Sequence, residues 1–198
     1  MTANHEDLEL KDRLSLIETM IAEGRRSHER WGWVYVLWGV ANCTAILWTA
    51  LAHFPYAWPI TMTVAWVLTL VVAARKCAKR PSTTLGRAVS SVWIAFGVSM
   101  MVLFPALGIS GRIDEYIQIS VGTAMLGMAY AASAILLRWK AQFACALIWW
   151  SLSVFACFGK STPVAIAYMS AIFLCMIVFG IYLMIAEASQ RGKVALHA

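Results

Sequence analysis

Six stretches of this chain, at Trp33–Leu51, Ala57–Ala74, Ala88–Leu107, Tyr116–Leu137, Ala141–Phe158 and Val164–Ala186, contain no Lys, Arg, Asp or Glu. At about 1.5 Å of rise per helical residue, each is long enough to cover the roughly 30 Å hydrocarbon layer of a bilayer. A water-soluble fold has no means of covering six such helices here. Charged residues make up 13% of the 198 and hydrophobic ones 61%, against about 25% and about 45–50% in an average soluble domain. The sequence therefore predicts an all-α fold, a six-transmembrane-helix bundle, and excludes a soluble monomer. The expected organisation is an amphipathic helix and juxtamembrane step over 1–30, the membrane domain over 31–187 and a short tail over 188–198.

The basic residues set an expected orientation. Fourteen of the sixteen Lys and Arg fall before the first span, between spans two and three, between spans four and five, or after span six. Only Arg112 and Lys160 fall on the other side. Basic loops stay in the cytoplasm, which predicts a multi-pass protein of the bacterial inner membrane with both termini cytoplasmic. The same distribution accounts for the net charge of +6 without nucleic acid. The bilayer is the expected partner. The polar first thirty residues do not read as a cleaved signal peptide, so the first span is expected to serve as the insertion signal. Local turn chemistry fits the joints. Pro55 and Pro59 bracket the start of span two, Asp114 and Glu115 open span four, and Ser161-Thr162-Pro163 reads as a hydroxyl cap followed by proline.

Only residues 5–30 show a soluble pattern. Leu10, Leu14, Ile17 and Ile21 are spaced four, three and four, which puts them on one helical face. Glu6, Asp7, Glu9, Asp12, Glu18 and Glu23 occupy the remainder. Asn4 is the expected cap, with Asp7 completing a capping box, and Gly24 is expected to end or kink the helix before Arg25-Arg26. Six acids make an anionic lipid surface a poor cover for the apolar stripe. That leaves contact with the protein's own loops, with another copy, or with a protein partner through residues 5–23.

The passage from this helix into span one, with Ile17, Met20, Arg25, Arg26, Ser27, Tyr35, Leu37, Trp38 and Gly39, resembles a widespread group of uncharacterised bacterial membrane proteins. These have an acidic amphipathic N-terminal helix, a basic step and a first span opening on Tyr and Leu-Trp-Gly. The resemblance covers about residues 14–42. It implies a polytopic inner-membrane protein and carries no activity or site residue with it.

Motifs for chemistry are fragmentary. Gly108-Ile109-Ser110-Gly111 has the GxSG form of rhomboid intramembrane proteases, but span six supplies no histidine to activate the serine. Gly159-Lys160-Ser161 resembles the end of a phosphate-binding loop, yet Val154 stands where its first glycine is required. Haem between helices wants axial histidines, and only His53 lies near a span. The five cysteines show no CxxC spacing. No catalytic residue, metal or cofactor is expected, so the chain reads as a non-enzymatic membrane protein that works in assembly or regulation through its N-terminal helix. The alternative is a small transporter or channel for a neutral or apolar solute, which charged groups within a span would have favoured. Among polar span residues, Asn42 is expected to hydrogen-bond across to a neighbouring helix, with Gly39 beside it for close approach. Thr123, Gly127 and Ala131 form a small-residue stripe on span four, the expected packing seam.

Overall fold

The structure, a computed structural model, describes residues 2–54, 56–77, 84–111 and 115–196. These are almost wholly helical, with no strand among them. The helices are α1 (Thr2–Glu29), α2 (Gly32–Ala52), α3 (Ala57–Cys77), α4 (Thr84–Ile109), α5 (Glu115–Leu137), α6 (Lys140–Phe158), α7 (Ser161–Ile172) and α8 (Phe179–Leu196). A π-helical stretch over Phe173–Val178 joins α7 to α8, so the three form one continuous rod. Helices α2 to α6 and the α7–α8 rod supply six segments long and apolar enough to cross a membrane. The protein is an all-α, multi-pass integral membrane protein. Pro55, Lys79, Arg80, Arg112 and Asp114 lie outside the described residues, as do the side chains of Asn4, Glu6, Asp7, Glu9, Leu10, Ser27, Cys77, Glu115, Ser161, Arg191 and Lys193.

The most extensively packed helix pair is the α5–α6 hairpin. Its turn is a Schellman ending. Trp139 N–H donates to Ala134 O at 2.9 Å and Arg138 N–H to Ile135 O at 3.2 Å, which satisfies carbonyls that a helix end would otherwise leave open. Arg138 takes the left-handed conformation usually given to glycine, at φ 49°. Along the hairpin, Ser120 Oγ donates to Ser153 O and Ser153 Oγ donates back to Ser120 O at 2.8 Å. On the other flank, α2 packs against α3 and against the α7–α8 rod. The Trp66 indole of α3 lies over Gly97 of α4, where a Cβ would stand 2.5 Å from the ring.

Three expected helix signals did not act as such. Gly24 lies inside α1, which runs unbroken to Glu29. A Cβ there would come within 2.6 Å of the Leu85 side chain and 3.2 Å of that of Leu137. The glycine is required for close approach to the bundle, and the small cost of a helical glycine is outweighed by that contact. Helix α1 also starts at Thr2, ahead of the expected Asn4 cap. In span six, Lys160 occupies the cap position and no side chain caps the helix. Pro163 sits within the first turn, where its missing N–H would have had no partner within the helix.

Candidate functional site

The buried centre lies where the end of α1 meets the bundle. His28 is 5% exposed. Its Nε2 lies 2.9 Å from Tyr35 Oη of α2 and 3.3 Å from Gln142 Nε2 of α6. Both contacts suit a neutral imidazole, which can accept at one ring nitrogen and donate at the other. Burial enforces the same state by lowering the His28 pKa to about 4. One turn earlier, Arg25 Nε donates to Leu137 O at 2.8 Å and its guanidinium also reaches Arg138 O. A cation is thereby placed on the carbonyl end of α5, where the helix dipole favours it. The same guanidinium lies over the Trp139 ring, 5.7 Å from its centre. Glu29 is buried next to His28, and desolvation raises its pKa against the opposing pull of Arg26 and Arg25, with Glu187 adding to the rise.

Above His28 stands an aromatic core. The Tyr35 ring meets Trp93, Tyr130 and Phe179 edge-on at 5.3–5.7 Å between centres. Edge-to-face contacts of this kind add to the gain from burial. Tyr130 Oη donates to Cys175 O at 2.7 Å, inside the π-helical stretch, so a buried hydroxyl finds its partner on the widened turn. The cleft beside His28, lined by Gly24, Trp31, Gly86, Val89 and Ser90, has about 20 Å³ of room, enough for one water. Gln142 Oε1 and Ser133 Oγ are buried with no hydrogen-bond partner among the described residues.

No known protein family, curated protein or solved structure matches the chain.

The residues singled out in the sequence fall in two places. Asn42 and Gly39 face the sixth span. Tyr168 Oη donates to Asn42 Oδ1 at 3.3 Å, while Asn42 Nδ2 returns to Trp38 O in its own helix at 2.8 Å. A Cβ on Gly39 would lie 2.8 Å from Ile177. Thr123, Gly127 and Ala131 are all buried, and a Cβ on Gly127 would reach the Trp150 indole of α6 at 2.5 Å. On α1 the stripe has a different fate. Leu14 is 54% and Ile17 51% exposed, and Ile21 is half-buried. Leu16 and Met20 beside them are exposed too.

The GxSG serine is engaged locally, with Ser110 Oγ donating to Leu107 O at 2.9 Å. Among the described residues, no three His, Cys, Asp or Glu side chains come together as a metal site would need. Cys145 and Cys175 are both buried free thiols. They lie in the apolar core, where a thiol packs as a small hydrophobe.

Sequence reasoning missed His28, Tyr35, Gln142 and Arg25. Their convergence depends on α1 folding back under the bundle through the Arg30–Trp31 turn, where Trp31 N–H donates to His28 O. One signal was available: Gln142, a lone amide at the start of a span, required a polar partner as surely as Asn42 did.

Proposed function

We propose that this protein is a non-enzymatic component of the bacterial inner membrane, with both termini cytoplasmic, that assembles or regulates through the apolar face of α1. The carrying observation is the contrast along that helix. Residues 24–29 are locked into the bundle by Gly24, Arg25 and His28, whereas Leu14 and Ile17 are half open to solvent. A helix anchored at one end and apolar at the other presents a face in a fixed place. Its loss of freedom has already occurred before anything binds, which favours association.

The test is the double substitution Leu14→Asp with Ile17→Asp. Both side chains are exposed, so the yield of membrane-extracted protein and its melting temperature in detergent are expected to stay within about 2 °C of the parent, as for surface changes of under about 0.5 kcal/mol. The molar mass of the protein part of the detergent complex is expected to fall. An unchanged mass in detergent and in nanodiscs would remove the assembly reading. The orientation has its own check. A reporter active only in the cytoplasm should give signal when fused after Lys193 and when inserted at residues 82–84, and silence at either overturns it.

A further inference from the structure

We infer that the cleft between α1 and α4 binds a single water molecule, which bridges His28 to Ser90 and through which the buried imidazole exchanges its proton with bulk water. Gly24 and Gly86, having no side chains, leave the room, and its volume of about 20 Å³ fits one water. Two polar groups on the cleft walls have no hydrogen-bond partner among the described residues. His28 Nε2 holds Tyr35 Oη and Gln142 Nε2, which leaves Nδ1 of this buried side chain unbonded. Ser90 Oγ is unbonded as well, whereas Ser91 Oγ beside it donates to Arg87 O of its own helix at 2.9 Å. Buried polar groups find partners in protein or in ordered water, and here the only room next to the imidazole is of water's size.

The chemistry of the walls selects a neutral molecule. Trp31 and Val89 present apolar surface, and no lining residue is a carboxylate, Lys or Arg. An ion held there would lack a counter-charge, which is costly away from bulk water. A neutral imidazole offers Nδ1 as donor or acceptor according to where its proton sits, and a serine hydroxyl is both. Water, which donates and accepts, meets either arrangement. It is also at hand, because Ser90 lies six residues into α4, about 9 Å along the axis of a helix that starts at the membrane edge. The bridge adds a polar tie between α1 and α4 beside the contact of Gly24 with Leu85. Proton exchange of the ring then needs no opening of the contacts to Tyr35 and Gln142.

The experiment is water-edited solid-state NMR on the full chain in lipid bilayers, with isotope-labelled histidine and the His28 signals assigned by their loss in His28→Gln. Magnetisation from water protons should reach the His28 ring nitrogens at a rate within a few-fold of that for His53, whose side chain is exposed. Ser90→Leu puts a branched apolar group into the cleft and should slow the transfer to His28 several-fold. Ser91→Leu, the same change one residue on, should leave it unaltered. Both serines are exposed on a membrane-crossing helix, where leucine is favoured, so both variants should fold. A parent in which water transfer fails to reach the His28 ring overturns the inference, whatever the yield of the variants. Transfer that persists undiminished in Ser90→Leu overturns it too, because the water at the ring then lies elsewhere. So does an equal loss in Ser90→Leu and Ser91→Leu, which would trace the effect to α4 as a whole.

Discussion

Gly180→Ala is expected to destabilise the bundle by about 1–3 kcal/mol, the usual cost of overpacking a close contact, and to lower its melting temperature in detergent by several degrees. A Cβ on Gly180 would stand 2.9 Å from the carbonyl oxygen of Gly32, 2.8 Å from Val36 Cγ2 and 3.0 Å from Tyr35 Cβ. The reciprocal contact is as tight, with a Cβ on Gly32 falling 2.8 Å from Gly180 O and 2.7 Å from Leu183 Cβ. Alanine is the better helix former by about 0.5–1 kcal/mol, so propensity alone would predict a gain. Sterics win here because the obstacles include backbone, which has no rotamer to escape into. Helix α2 must move off α8, and small residues at membrane-helix interfaces exist to permit that approach. Gly32→Ala should cost a similar amount. The double variant should cost clearly less than the two together, because the first substitution has already parted the helices. Gly108→Ala is the control. A Cβ there meets nothing within 4 Å, and no loss is expected. Equal melting temperatures for Gly180→Ala and Gly108→Ala would show that the α2–α8 contact is not tight.

The membrane domain was legible because a span is specified by local chemistry. Each segment must be apolar for about 20 residues and bond its own backbone, and both requirements can be read without knowing the neighbours. The proline bracket at span two illustrates this, since α3 starts at Ala57, between Pro55 and Pro59. Close approach is harder to read. Gly127 and Gly39 lie within stripes of small residues, and both sit against a neighbouring helix. Gly32, Gly24 and Gly180 stand among Arg, Glu, Trp and Phe, where a glycine resembles punctuation. Which role a glycine takes depends on what the fold brings opposite it, and for Gly24 that is Leu85 and Leu137, more than fifty residues away in the chain. The π-helical stretch carries no local signature either. It contains neither Pro nor Gly, and its contacts come from far away in the chain, with Tyr130 donating to Cys175 O and Gly39 lying against Met176 and Ile177. The buried lock was hidden for a related reason. Arg25 and His28 lie in a segment whose basic residues are fully explained by membrane orientation, so nothing in the sequence demanded a second role.

That lock makes a pH dependence. His28 has its pKa lowered by burial from the usual 6.5 to about 4, so the folded state holds it neutral where the unfolded chain would protonate it. For a histidine shifted downward, its favourable contribution is complete above the unfolded value of 6.5 and is lost as pH falls from there toward 4. Linkage over that interval amounts to about 3 kcal/mol. The melting temperature of the parent in detergent is therefore expected to drop between pH 7 and pH 5. Glu29 works in the opposite direction, because burial raises its pKa and its protonation on acidification relieves a buried charge. His28→Gln separates the two effects. The glutamine keeps a neutral hydrogen-bonding group beside Tyr35 and Gln142 but takes up no proton, so this variant should lose the acid-side drop and show only the opposing trend of Glu29. His28→Leu should instead be less stable at every pH, since it leaves the Tyr35 hydroxyl and the Gln142 amide without their partner in the core, at about 1–3 kcal/mol for each buried group. Proteolysis within α1 should follow the same order, faster at pH 5 than at pH 7 for the parent and no faster at pH 5 for His28→Gln. If the parent and His28→Gln keep parallel stability curves from pH 7 to pH 5, the imidazole is not the group that holds the end of α1 in place.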